Sequence, residues 1–494
     1  MAKHVLVSPF QIEQSNAAGF SSAVLKECHT PGEDFRILSP DLQKFKLGRA
    51  EIVPVDSGIP FFEESILSRQ FLCGSWQLLH PEAYLPPALP VDVANEIYDA
   101  AQITVPDLEA LVSFLEKNME VGQKKEEFLY RRWDRQLKEL EPNSAVHWQD
   151  YYFESAINRL GPVLRERKIH QTLHIHEAIP ESLEQSQWGR SLIKAMSEVD
   201  TVFLHNDTYC DRVRSAADNL GINLNNVKRY DLEIDKKRLS QGLHGANVHD
   251  LKETIPSWHK LTKLQRDALI EVVGTRESVP HRFICTDRVD PIKGTFILYR
   301  AIGQFLENHL REKGSTEELR KEFRFYLLHD SGTPIEPVKG YSTNLAHKYK
   351  ELVTKELKEL CNRFPGIVHS LPHFTNCARD AMPTLLHGCH GISGSICEGL
   401  NLSVMEAAWV NTQKSVEADN TIIIGDSSGF AQQTKRNGSG DLAYFPESGS
   451  IDEFIKALHD VVIRKETNPG ALRAELEKLV AREIEPRRSS LLDF

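Results

Sequence analysis

Short apolar runs of strand length recur along the chain, at 5–7, 173–175, 202–204, 283–285, 325–328 and 421–424. Several end in Ser, Thr, His or Asp and give way to a helical pattern. After the fourth run, Leu298, Ala301, Ile302 and Phe305 fall at i, i+3, i+4 and i+7, which is one buried face of a helix. Near the end, Ser450 followed by Glu453 reads as a capping box, and Phe454, Ile455, Leu458 and Val462 make the inward stripe behind it. A further helix is predicted over 472–484, stopped by Pro486. Strands that alternate with helices predict an α/β protein whose parallel sheets are covered on both faces.

Two stretches depart from this rhythm. Residues 81–125 open on a Pro-rich loop and continue with Leu108, Leu111, Val112 and Leu115 at helical spacing, which predicts a helical insertion. Residues 235–279 are polar and helix-prone without a convincing strand, and strand signals resume at His281. The expected organisation is two Rossmann-like, doubly wound domains, 1–265 and 266–475, with 476–494 as a C-terminal helix crossing back to the first. Ligands of such folds bind at the carboxyl ends of the parallel strands, so chemistry is sought just after the strand runs.

Composition narrows the classes of function. The 494 residues carry 59 Lys and Arg against 70 Asp and Glu, a net charge of −11, the wrong sign for holding nucleic acid by counterion release. No stretch approaches the ~18 apolar residues of a membrane-spanning helix. The eight cysteines are scattered with no C-x-x-C pair, as reduced core thiols would be, and the apolar run at the start is too short for a signal peptide. Both facts predict a cytoplasmic protein. His387, Cys389 and His390 invite a zinc reading, but no second ligand pair stands at a structural-zinc spacing, and no metal site is predicted.

Three loops carry the candidate chemistry. Asp287, Arg288, Asp290, Lys293 and Gly294 fill the gap between the 283–285 run and the helix starting near Thr295. There Arg288 can grip phosphate oxygens in a fork, Lys293 adds a point charge, and free helix N–H groups point the same way. The bland alternative pairs both cations with Asp287 and Asp290. The second loop is Glu398, Gly399, Leu400, Asn401 and Leu402, with Glu406 about a turn further on. Gly399 permits close backbone approach, Asn401 and Leu402 open a helix toward an anion, and Glu406 can take both hydroxyls of a ribose. A capped surface helix with an outward Glu406 is the alternative. The third is the small-residue loop around Gly19, weak alone, since neither G-x-G-x-x-G nor G-x-x-x-x-G-K-[ST] occurs. In the same half Gln149, Asp150 and Tyr151, then His174, follow strand-like segments, and Trp76 and His80 precede the insertion.

In order, these segments resemble the trehalose-6-phosphate synthase family of retaining glycosyltransferases, glycosyltransferase family 20 with the GT-B architecture. Its D-R-x-D-x-I-K-G matches Asp287 to Gly294 at every fixed position, and its D-G-x-N-L-x-x-x-E matches Glu398 to Glu406 with Glu398 in place of Asp. Its H-D-Y is Gln149-Asp150-Tyr151 here, its H-I-P-x-P begins at His174, and its W-P-x-x-H is similar to Trp76 through His80. The C-terminal half matches with fair specificity and the N-terminal half loosely. The family's early S-N-R is absent, with Pro9 and Phe10 after Ser8, and its P-T-R is replaced by the region of Ser331 to Pro334. The run from Gly399 to Asn411 also looks like the pseudo-glycosyltransferase branch typified by validoxylamine A 7'-phosphate synthase.

The resemblance implies a metal-independent, retaining transferase moving a sugar, or a cyclitol, from a nucleotide-diphosphate donor to a small carbohydrate or cyclitol acceptor. Arg288 and Lys293 would meet the departing diphosphate, with Asp150 and His174 orienting the rings. Gly19, Glu398, Gly399, Leu400, Asn401, Leu402 and Glu406 would bind the donor, and Trp76, His80, Asp150 and Tyr151 the acceptor. No cofactor, nucleic acid or membrane partner is expected, and a homo-oligomer is compatible with it. The other class is a catalytically silent regulator that senses a nucleotide sugar. A metal-dependent GT-A enzyme is disfavoured because its D-x-D occurs nowhere in the chain.

Overall fold

The computed structural model describes residues 4–8, 28, 34–39, 44–54, 134–176, 179, 183–185, 187–241, 248–287, 289, 293–328, 341–372, 380–396, 398–413 and 418–487. The predicted insertion at 81–125 lies outside them. Eight strands form the first sheet: β1 (His4–Val7), β2 (Phe35–Ser39), β3 (Phe45–Leu47), β4 (Ala50–Pro54), β5 (Ala145–Gln149), β6 (His170–Ile175), β7 (Thr201–Leu204) and β8 (Val227–Arg229). Their order is β3-β4-β2-β1-β5-β6-β7-β8, parallel except where β3 runs against β4. Helices α1 (Glu154–Glu166), α2 (Gln187–Ser197) and α3 (Asp207–Asn219) follow β5, β6 and β7. They bury their apolar stripes with Val5, Val7, Val146, Trp148 and Leu173 on one face of the sheet.

The second sheet has five parallel strands, β9 (His281–Cys285), β10 (Phe323–Leu328), β11 (Val368–Leu371), β12 (His390–Ser393) and β13 (Ile422–Ile424), in the order β11-β10-β9-β12-β13. Because side chains alternate along a strand, Phe283 and Cys285 point to one core while Ile284 between them enters another. Burial on both faces explains why β9, β10 and β13 read as apolar runs, whereas β11 carries a half-buried His369 and an exposed Ser370. Between the sheets, residues 235–279 hold Lys236–Gln241, Leu251–Thr254 and α4 (Lys263–Gly274) as helices, and no strand among the described residues.

Helix α5 (Thr295–Lys313) buries the predicted stripe of Leu298, Ala301, Ile302 and Phe305. α6 (Tyr341–Arg363), α7 (Leu402–Asn411), α8 (Gly429–Arg436), α9 (Ile451–Thr467) and α10 (Ala471–Leu479) complete the second half. Ser450 caps α9 by accepting from Glu453 N–H at 3.3 Å. The helix expected over 472–484 loosens into a π-turn at Val480–Ile484. Beyond it Lys236 Nζ donates to the Glu485 carbonyl at 3.2 Å, and Arg487 lies 3.7 Å from Asp231, so the chain end touches the first half.

The central core belongs to both halves. Leu6, Ile37, Ile52 and Tyr230 share one buried cluster with Ile284, Met405, Ile424, Phe430 and Leu479. No helix among the described residues is long and apolar enough to cross a membrane.

Candidate functional site

β9 and β12 are neighbours in the second sheet, with His390 beside Phe283, so the loops leaving them emerge together. Asp287, just past β9, is buried and accepts from the hydroxyl of Ser393 at the end of β12. The Ser403 hydroxyl stands 2.9 Å from Asp287 Oδ1 and 2.8 Å from Asn401 Oδ1. Asn401 adopts a left-handed backbone, φ 63°, and caps α7 by accepting from Val404 N–H at 3.2 Å. Its amide donates to Ser393 Oγ at 2.7 Å and Ser395 Oγ at 2.9 Å. Over this network Lys293, at the threshold of α5, forms an ion pair with Glu398. Ser395 Oγ donates to the other Glu398 oxygen at 2.7 Å.

The first half presents the ends of β5, β6 and β7. Asp150, one residue past β5, is buried with φ 69° and ψ 165°, a conformation that L residues seldom take and that costs about 1–3 kcal/mol. It is held by Asp150 N–H to the His174 carbonyl at 2.6 Å and by Tyr151 N–H to its own carboxylate at 3.2 Å. The Gln149 carboxamide oxygen lies 3.1 Å from His176 Nε2, and His176 Nδ1 lies 3.1 Å from His205 Nε2. Burial holds His176 well below the ordinary histidine range, with the neighbouring His205 and His174 adding to it. His205 falls to about 4 through burial and then the Arg487 charge.

The two clusters meet directly. A Cβ on Gly399 would overlap the carbonyl of His176, so only glycine lets the second-half loop lie this close to the first. The Tyr209 hydroxyl donates to the Glu398 carbonyl at 2.7 Å, Asp207 N–H donates to Gln433 at 3.1 Å, and Arg436 pairs with Asp211 at 2.8 Å. The loops after β6, β7, β9 and β12 therefore close on one junction at the carboxyl ends of both sheets.

Of the residues singled out in the sequence, Lys293, Glu398, Gly399, Asn401 and Leu402 gather on the second-half side of this junction. Leu400 is buried behind them, and Glu406 is half-buried a turn into α7. Asp150 stands on the opposite side, where Tyr151 is buried at the start of Tyr151–Phe153. His174 is not brought to the junction surface. Its ring lies inside the first sheet, 4.7 Å from Phe203 and 5.2 Å from Tyr230 between centroids, with Nε2 3.1 Å from Thr172 Oγ1. Burial, then the charge of His205, takes it down to about 3. Arg288, Gly19, Trp76 and His80 lie outside the described residues.

His176 and His205 match none of the motifs in the sequence, although each stands immediately after an apolar run of strand length. That position was the available signal. His390 is structural, accepting from Thr421 N–H at 3.1 Å, and burial raises the Cys389 thiol. No cluster of three or more potential metal ligands occurs among the described residues. A separate cavity of about 400 Å³ is lined by Leu264, Asp267, Glu271, Tyr326, His369 and Pro372 among others, and includes none of the singled-out residues.

No protein-family model matches the sequence, and no curated protein matches it. Solved structures do resemble it in three dimensions. An α,α-trehalose-phosphate synthase (UDP-forming) from Burkholderia xenovorans, in complex with glucose-6-phosphate, superposes with a TM-score of 0.68 over 98% of this chain and 96% of that one, at 14% identity. A trehalose-6-phosphate structure from E. coli bound with UDP-2-fluoro glucose gives 0.64 over 97% and 95%, also at 14% identity.

The chain has the trehalose-6-phosphate synthase fold.

That fold is GT-B, two doubly wound sheets facing each other, and at this identity the likeness is one of fold. The trehalose-6-phosphate synthase fold is also similar to the N-terminal domain of Candida albicans trehalose-6-phosphate phosphatase, with a TM-score of 0.65 over 98% of this chain and 94% of that domain, at 15% identity.

Proposed function

We propose that the protein is a retaining, metal-independent glycosyltransferase of the trehalose-6-phosphate synthase type, acting in the cytoplasm on a nucleotide-diphosphate donor and a small sugar or sugar-like acceptor. The observation that carries this is the assembly of Lys293, Glu398 and Asn401 at the starts of two helices, facing the Asp150 and His176 strand ends across a backbone-close junction. Helix N–H groups and a fixed ammonium suit a diphosphate. The solved relatives of the same fold were bound with glucose-6-phosphate and UDP-2-fluoro glucose.

In the reaction the bond from the anomeric carbon to the diphosphate oxygen breaks, and the acceptor oxygen bonds to the same face. The acceptor's proton passes to the departing diphosphate, so no protein nucleophile takes part. The protein's contribution is electrostatic: Lys293 meets the charge that grows on the leaving group, and Asn401 with the first N–H groups of α7 adds donors. Glu406, a turn further in, would hold the ribose.

The assay incubates purified protein with UDP-, GDP- or ADP-glucose and either glucose 6-phosphate, an uncharged sugar or an aminocyclitol, and reads products by mass spectrometry in EDTA. The missing family arginine, with Phe10 in its place, leads us to expect glucose 6-phosphate to be a poor acceptor. A product with any acceptor supports the transferase, and nitrogen linkage would mark the pseudo-glycosyltransferase branch. Nucleotide binding with no product from any pair would favour a silent sensor. That second reading is motivated by the pairing of Lys293 with Glu398, and by a domain of this fold in a protein named as a phosphatase.

A further inference from the structure

Glu398 stands where the resembled pattern has aspartate, and its longer side chain carries its carboxylate onto Lys293 as an ion pair. Both carboxylate oxygens are engaged within the loop, one by the Lys293 ammonium and the other by the Ser395 hydroxyl at 2.7 Å. The backbone is held as firmly: its carbonyl receives the Tyr209 hydroxyl at 2.7 Å from the first half and Gly429 N–H at 2.9 Å from the second. Lys293 itself is buried. A carboxylate fixed against a buried ammonium cancels most of the field that the ammonium would otherwise offer an anion, and its own charge repels one.

We propose that Glu398 is a resident counter-ion that competes with the donor's diphosphate for Lys293, so that it sets donor affinity by opposing it. This rests on the donor reading of the site. An anion gains the ammonium only as the carboxylate gives it up, and Ser395 is the hydroxyl on which the displaced carboxylate can settle. The sign of a substitution follows. Glu398→Gln keeps the size and the hydrogen-bonding reach but removes the competing charge, so an anion should bind more tightly. A carboxylate whose task is to accept hydroxyls from the transferred sugar would instead leave the affinity for a sugar-free diphosphate unchanged when neutralised.

The test is calorimetric binding of UDP, GDP, ADP and inorganic pyrophosphate to wild type and E398Q, with circular dichroism to confirm folding. The expected result is that at least one of these anions binds E398Q at least about 10-fold more tightly, the scale of one charge-assisted contact. If E398Q does not fold, Glu398→Asp replaces it: the shorter arm withdraws from Lys293, and tightening in the same direction by a smaller factor is expected. Unchanged or weaker binding by the variant, where wild type binds, overturns the counter-ion role alone. Folded wild type and variant that both ignore all four anions overturn it together with the donor reading. Pyrophosphate tightening without any nucleotide binding supports the counter-ion role while removing the nucleotide from the proposed function.

Discussion

Asn401 makes four contacts with one side chain: its oxygen caps α7 at Val404 N–H and lies 2.8 Å from the Ser403 hydroxyl, and its nitrogen ties Ser393 to Ser395. Its left-handed backbone is one that asparagine tolerates better than most residues. Asn401→Ala loses a cap worth about 1 kcal/mol and two buried hydrogen bonds of about 1 kcal/mol each. Urea denaturation should therefore show a loss of about 2–4 kcal/mol, with Asn401→Gly losing less because glycine relieves the backbone. Equal midpoints for Asn401→Ala and wild type would mean that the network does not hold the loop. Lys293→Ala belongs to the same scale but to function. If Lys293 meets the leaving diphosphate, kcat should fall by roughly 100-fold or more with the fold intact. Near wild-type turnover would remove it from the mechanism.

Helix α7 can present Asn401 to the junction only because it lies close to its sheet. A Cβ on Gly391 of β12 would sit 2.8 Å from the Cβ of Ala407, so the glycine sets the helix-to-sheet distance. Gly391→Ala should push α7 outward, cost about 1–3 kcal/mol of stability as other overpacked cores do, and weaken nucleotide binding, because the helix start moves with the helix. Stability loss with unchanged nucleotide affinity would separate α7 from the site. Element by element, the sequence was legible where burial was two-sided. The runs at 283–285, 325–328 and 421–424 fall in β9, β10 and β13, because strands covered on both faces are continuously apolar. β2 and β4 escape: Phe35–Ser39 and Ala50–Pro54 carry Arg36 and Glu51, paired to each other at 3.0 Å. The cross-strand partner that makes those charges acceptable is remote in sequence. In the site, loop positions could be read from motif spacing, whereas the pairing of Lys293 with Glu398 rather than Asp287 depends on β9 lying beside β12.

At the scale of the whole molecule, both halves are built around neutral, buried histidines, and this predicts acid lability. His174 titrates at about 3, His205 at about 4 and His281 at about 4, burial being the largest cause in each. Burial also holds His147, His176 and His390 well below the ordinary range. In the unfolded chain a histidine titrates near 6.5, so as pH falls the unfolded state takes up protons that the folded state refuses. The stability these groups contribute is fully present above about pH 6.5. It is lost progressively below that, levelling off only near the folded values. Between pH 7 and pH 5 each such histidine costs about 2 kcal/mol. Six of them, even at half that figure, would remove an amount comparable to the ~5–15 kcal/mol that holds a typical domain. Three of the six stand at or beside the junction: His176 touches His205, which is under the charge of Arg487 from the chain end, and His174 packs beneath them. Protonation should therefore open the contact between the halves along with the first sheet. Urea midpoints at pH 7.0, 6.0 and 5.0 should fall steeply, with proton uptake on unfolding measurable in weakly buffered solution. The fall should be already evident at pH 6.0, above the range where carboxylates titrate. A midpoint that holds to pH 5 and drops only near pH 4 would assign the acid limit to carboxylates and show that these histidines are less deeply desolvated than their packing requires.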